Sequence, residues 1–339
     1  MAISNTYQII SCSADLVQPG QNVELWGSVI AVFPLCIYVK STTNKIVCIA
    51  DKALDDGPGR LRADFLTPPI SQVKDGDLVT TLGTNLYLGD VAIIRTDRAE
   101  IWSPPSVSSL GSLDEILSAM RCLSSKLEKD IPKAGLSSVL IWTEDLVNGV
   151  APDQYGCDIV VSRSILGLKD LVIGWSTADR DRISRGVAQL IGLGPGLTPS
   201  GDDLLAGMLI ALKQIQKINP EFVGNAATEM LASEIAGHAC TGTNAISSEM
   251  LCHAIKGNSI CSVHCLLIGL LDSRSSSKTT KFARDLVSIG HTSGWDMLAG
   301  IFLGLHLGLH KVNIATSTAV GASDLFRGAS WWTGRVVES

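Results

Sequence analysis

The sequence predicts an α+β protein, with an antiparallel β barrel or sandwich over residues 1–104 and a mainly helical domain over residues 105–339. Three observations carry this reading. Up to residue 104 the apolar residues come in short, β-branched runs separated by turn residues. The stretch Trp102-Ser103-Pro104-Pro105-Ser106 then breaks the pattern, since tandem prolines end strands and resist helix. Beyond it the apolar spacing becomes three and four residues, the period of a helix with one buried face.

In chain order, Val23–Phe33 reads as a strand. Ile37-Tyr38-Val39 and Ile46-Val47-Cys48-Ile49 flank a hairpin-like turn at Ser41-Thr42-Thr43-Asn44. Asp55–Gly59 is a loop, and Gly57-Pro58-Gly59-Arg60 reads as a surface turn rather than an anion contact. Leu78–Leu82, Asn85–Leu88 and Ala92–Ile94 are further strands. Ser112 caps a helix whose face carries Leu113, Ile116, Leu117, Met120, Leu123 and Leu127. Asp145–Ile159 is irregular. Further helices are expected at Ala178–Ile191, Leu204–Ile218, Glu221–Cys240, Ile260–Leu271 and Phe282–Ile289. The tail to Ser339, with Trp331 and Trp332, has no readable pattern.

Hydrophobic residues make up 46% of the 339 residues and charged residues 18%, which supplies a sizeable core and excludes global disorder. A net charge of −6 argues against a general nucleic-acid or anionic-membrane binder. The chain does not open on a basic region followed by an apolar core, and no apolar run approaches the roughly 20 residues that span a bilayer. Nine cysteines form no CxxC pair and read as reduced thiols. The expectation is a cytoplasmic protein with neither nucleic acid nor membrane as partner.

The densest stretch of chemistry runs from Gly192 to Gly207, Gly-Leu-Gly-Pro-Gly-Leu-Thr-Pro-Ser-Gly-Asp-Asp-Leu-Leu-Ala-Gly. It reads as a Gly/Pro loop feeding a helix, with Thr198 as N-cap and Pro199 at the first helical position. Helix N-termini favour carboxylates and bind anions, and Gly194, Gly196 and Gly201 let backbone amides come close to such a ligand. Ser200–Gly207 recurs as Ser293–Gly300 with six of eight positions identical, which predicts two similar helix starts converging on one site. A third small and polar stretch, Thr241–Glu249, opens another helix.

These residues set the candidate site. Asp202, Asp203 and Asp296, with His291 beside Thr292 and Ser293, are the catalytic candidates. Gly194, Gly196, Thr198, Ser200, Gly201, Thr243, Asn244, Ser247, Ser293 and Gly294 are the substrate-binding candidates, with Arg185 placed to face an anion in the loop. The carboxylates suit amide or ammonium N–H groups, or a divalent cation such as Mg²⁺; no cofactor is required by any motif. The loop is neither a Walker A loop nor a dinucleotide fingerprint, and no Gly-x-Ser-x-Gly elbow is present. His306 with His310, and His264 near Cys261 and Cys265, lack the partners that complete a zinc site, so no metal ligands are assigned.

Gly194–Asp203 resembles a bacterial family long catalogued as a domain of unknown function, which includes the AllH-type subunit of oxamate carbamoyltransferase. Gly290–Asp296 is similar to that family's second signature, and Thr243-Asn244 with Ser247 to a third. Gly57-Pro58 fits the family's N-terminal β portion. The resemblance implies carbamoyl transfer between oxamate and carbamoyl phosphate in the degradation of allantoin. It also implies partner subunits, one of them similar to acyl-CoA synthetases. The Ser-Thr-Arg-Thr phosphate motif of aspartate and ornithine carbamoyltransferases is missing, so their chemistry cannot be transferred. The alternative expectation is a non-catalytic scaffold or metabolite-sensing subunit.

Overall fold

The computed structural model describes residues 5–16, 27–65, 72–150, 158–272 and 278–318. Residues 23–26, Cys157, most of the Ser-rich loop after Asp272 and the tail with Trp331 and Trp332 lie outside the described residues. The chain divides into two compact units, Met1–Ser106 with Asn258–Cys265, and Val107–Gly257 with Leu266–Ser339.

The first unit is built from nine strands, β1 (Asn5–Ser13), β2 (Gly27–Phe33), β3 (Cys36–Ser41), β4 (Ile46–Asp51), β5 (Arg60–Ala63), β6 (Leu78–Leu82), β7 (Asn85–Leu88), β8 (Ala92–Arg95) and β9 (Glu100–Trp102). Their order is β5-β4-β3-β2-β6-β7-β8-β1, and β1 pairs back onto β5, which closes the ring; β9 adds beside β1. Closure removes the unpaired edges an open sheet would present. The alternating residues Val29, Ile37, Val39, Leu61, Leu86 and Ile94 fill the interior. Asn44, at φ 63°, makes the β3–β4 hairpin turn where the sequence placed one.

The barrel is not purely antiparallel: β1–β8, β1–β9 and β4–β5 are parallel. Side-chain alternation reports which face is buried and is blind to strand direction, so it could not reveal these pairings. The Gly57–Arg60 loop is not a surface turn either. The Gly59 amide donates to Asp15 at 3.1 Å, and a Cβ on Gly57 would sit 2.9 Å from Ile260 Cγ2.

The second unit is helical, with α1 (Leu113–Leu127), α2 (Thr143–Val147), α3 (Ile159–Thr177), α4 (Arg180–Leu190), α5 (Ser200–Ile218), α6 (Asn225–Gly242), α7 (Ala245–Ile255), α8 (Cys261–Leu271, whose first turn is grouped with the barrel), α9 (Thr279–Val287) and α10 (Ser293–Thr318). Ser112 caps α1 through a capping box with Glu115, as the sequence predicted. α3 was not anticipated. Its apolar residues wrap most of the helix. Gly167 and Gly174 are points of close approach: a Cβ on Gly174 would lie 2.7 Å from the Ile183 amide of α4. No helix among the described residues is long and apolar enough to cross a membrane.

α5 and α10 form the spine of this unit. A Cβ on Gly207 would lie 2.1 Å from the Met297 carbonyl oxygen, and one on Gly300 would lie 2.0 Å from that of Leu204. Gly304 repeats the contact against Met208 at 2.5 Å. The contacting pairs climb in the same direction along both helices, so the two run parallel and start side by side. The small-residue stripe on α10 is what lets the backbones touch.

Gly207→Ala and Gly300→Ala should therefore each cost stability at or above the upper end of the roughly 1–3 kcal/mol range for overpacking. Urea unfolding checks this, with an unchanged m-value showing that the loss lies in the native state.

Candidate functional site

The two repeats are structurally equivalent at their starts. The Gly201 amide donates to Leu193 O at 2.9 Å, and that of Gly294 to Ile289 O at 3.1 Å. A Cβ on Gly201 would lie 1.9 Å from Leu190 O, and one on Gly294 would lie 2.0 Å from Leu286 O. Both glycines are thus required by the crossing of the preceding helix end, and their amides are committed within the protein. Thr198 does not cap α5. Pro199 holds that position in extended conformation, and its carbonyl accepts from the amides of Asp202 and Asp203 at 2.9 and 3.1 Å. The Thr198 hydroxyl instead meets the Ser293 hydroxyl at 2.8 Å, joining the two helix starts directly.

The three aspartates are fully buried but differ in their surroundings. Asp202 is saturated: Oδ1 accepts from the Gly192 amide at 2.7 Å, and Oδ2 accepts from the hydroxyls of Ser247 at 2.6 Å and Thr243. It ties the central loop to the α6–α7 connection. Asn244 strengthens this tie, capping α7 and donating to Leu197 O at 2.8 Å.

Asp203 and Asp296 occupy equivalent positions in the two repeats. The hydroxyls of Ser293 and Thr198 face Asp203, while those of Ser200 and Thr292 face Asp296. Each helix's opening serine therefore serves the other helix's aspartate. Asp296 Oδ1 also accepts from the Leu136 amide at 2.7 Å and the Ser137 hydroxyl at 3.4 Å. The Oδ2 atoms of both aspartates are buried without a hydrogen-bond partner. Burial pushes Asp203 well above the usual carboxylate range, and the charge of Asp296 adds to that. Burial raises Asp296 as well, against the pull of its hydroxyl and amide donors.

Gly135, Leu136 and Ser137 were missed by sequence reasoning. Gly135 is buried at φ 66°, and a Cβ there would lie 2.8 Å from Asp296 Oδ2 and 2.9 Å from Ser200 Oγ. The signal present was Ile131-Pro132-Lys133-Ala134-Gly135, a Pro/Gly loop following α1.

The loop from Gly194 to Leu197 lies over the start of α5. Gly194 and Gly196 adopt φ of 113° and 100°, and open space surrounds the Cβ position of Gly196. The amides of Gly194, Gly196 and Leu197 donate to no acceptor among the described residues. His291 is exposed in the loop before α10. Arg185 sits apart from this cluster, its guanidinium 3.4 Å from Asp170 on α3. His306 lines a cavity of about 280 Å³ formed by α1, α2 and α10, where burial lowers its pKa to about 4. Among the described residues, no group of three or more His, Cys, Asp or Glu side chains is arranged to hold a metal ion.

The helical unit is thus a duplicated helix-start scaffold, in which two parallel helices cross-brace their first turns through exchanged Ser–Asp contacts. Residues 190–305 match the model of the family described as oxamate carbamoyltransferase subunit AllH. The matched segment holds every candidate site residue except Arg185. No solved structure matches the chain.

Asp202→Ala would strand three donors in the interior. It should destabilise the protein by about 3–5 kcal/mol, against about 1–2 kcal/mol for Ser247→Ala, which leaves the carboxylate two partners. Thermal and urea unfolding of the two variants checks the order.

Proposed function

We propose that this chain is a carbamoyltransferase subunit, of the oxamate carbamoyltransferase kind, that binds a small anionic substrate such as carbamoyl phosphate, oxamate or oxalurate at the paired starts of α5 and α10. The observation that carries the reading is the set of uncommitted amides at Gly194, Gly196 and Leu197, held over two parallel helix N-termini. Free amides on a loop bent by two positive-φ glycines suit a phosphate or carboxylate, and the helix dipoles reinforce this. The match over residues 190–305 supports the reaction class, because it covers this loop and both helix starts.

The hydroxyl layer supplies the second half of recognition. Ser293 and Thr198 face the Asp203 carboxyl, and one of the two hydroxyls donates to the other. The lone pairs that remain would accept from the N–H groups of a carbamoyl or amide ligand. In the transfer step such a site would position two small anions and stabilise charge on the departing phosphate through fixed dipoles. A serine that merely closes a helix has no reason to reach across to a second helix; the exchanged Ser200–Asp296 and Ser293–Asp203 contacts hold both starts in one geometry. Further subunits, including one similar to acyl-CoA synthetases, would complete the enzyme.

Carbamoyl phosphate, oxamate or oxalurate at about 100 times its dissociation constant should stabilise the purified chain by roughly 2.7 kcal/mol in a thermal-shift assay. Thr198→Val should weaken that binding about tenfold, the scale of one lost hydrogen bond, while the protein stays folded. No shift with any of the three, with or without Mg²⁺, would refute the assignment.

A further inference from the structure

Two orphan oxygens lie in the first turns of the two spine helices. Asp203 Oδ2 and Asp296 Oδ2 are buried and make no hydrogen bond. α5 and α10 touch through the carbonyls of Leu204 and Met297, each packed against a glycine of the other helix. Asp203 and Asp296 immediately precede those two residues, so both carboxyls stand at the same height beside the same contact. Two ionised carboxylates in so dry a place repel one another, and each would leave an acceptor unpaired. One proton on the pair removes the repulsion and leaves a single negative charge there.

We propose that Asp203 and Asp296 hold a single proton between them at neutral pH, and that this singly charged pair is the form of the site that accepts an anion. The first half stands on the burial of the two carboxyls and their unpartnered oxygens; the second rests on the proposed function.

The charge balance explains the coupling. A helix N-terminus acts as about half a positive charge, so two parallel starts offset about one negative charge and not two. The fully ionised pair would leave net negative charge beneath the loop amides and repel an anion. The neighbouring groups do not supply the missing balance. Asp202 on α5 supplies no positive charge, and its oxygens are taken by Gly192, Thr243 and Ser247. From the segment before Ser137 come the Leu136 amide and the Ser137 hydroxyl, with Lys133 exposed to solvent. The segment before α10 contributes Thr292 and Ser293, with His291 exposed. Burial and the charge of Asp296 both push the proton onto Asp203. The pair resembles other close carboxyls that cannot both ionise, whose titration belongs to the pair.

The sign of the pH dependence follows. The native state keeps a proton that the unfolded chain releases in the ordinary carboxylate range. Stability is therefore greatest below that range and falls as pH rises, until the pair itself ionises.

Infrared spectroscopy of the wild-type protein, labelled with ¹³C-aspartate and free of ligand, tests the shared proton. A protonated aspartic-acid C=O band should persist at neutral pH, titrate as one proton, and vanish in Asp203→Asn. Full ionisation of every aspartate in the neutral wild type would overturn the proposal without need of any variant. So would a band that survives in both Asp203→Asn and Asp296→Asn. Oxamate, whose charge is constant over this range, probes the coupling by calorimetry. Wild-type affinity should fall about tenfold per pH unit once the pair ionises, while Asp203→Asn, which fixes the single charge, stays level. Affinity that is flat while the proton titrates would overturn the coupling. If the proton is found and oxamate binds at no pH, the anion reading fails, the coupling with it, and the shared proton stands.

Discussion

Close contact between two parallel helices governs the rest of this structure. Glycines at 207, 300 and 304 let α5 and α10 approach until backbone carbonyl meets backbone Cα. Any side chain at Gly207 or Gly300 would push the helices apart. Parallel packing at this distance places two helix starts, with their like dipoles, side by side. That arrangement is electrostatically unfavourable unless negative charge lies beneath it, and Asp203 and Asp296 lie in the two first turns. The glycine stripe, the paired carboxyls and the exchanged serine contacts are parts of one solution.

The three aspartates, alike in sequence, diverge in role through their partners. Asp202 receives three hydrogen bonds and binds the Gly-rich loop to the α6–α7 connection. Asp203 and Asp296 each keep one oxygen without a hydrogen-bond partner. Burial is common to all three, so satisfaction by neighbours, rather than depth, separates the structural carboxylate from the pair at the seam. The Thr198–Ser293 contact sits above that pair and links the two repeats where the loop amides open.

Much of this was legible in the sequence. The duplication of Ser200–Gly207 in Ser293–Gly300 announced two equivalent helix starts, and the structure sets them side by side. Six of the nine strands followed from alternation, while β1, β5 and β9 were not anticipated, and α1 followed from its cap and stripe. Other features were not legible, for physical reasons. α3 is apolar on most sides, so its periodicity was masked. Gly201 and Gly294 looked like amide donors because glycine permits close approach to a ligand; they approach the end of the preceding helix instead. Leu136 reaches Asp296 across 160 positions of sequence, a link that no local pattern encodes. Arg185 had the right charge and lay near the loop in sequence, but Asp170 on the neighbouring helix claims it.

The central claim is that an anion docks on the loop over the two helix starts, and amide NMR of the labelled protein titrated with carbamoyl phosphate tests it most directly. The account predicts that the largest shifts fall on Gly194, Gly196, Leu197 and Thr198, with Ser293 following from the second helix start. Shifts confined to the barrel, or to the cavity around His306, would contradict it.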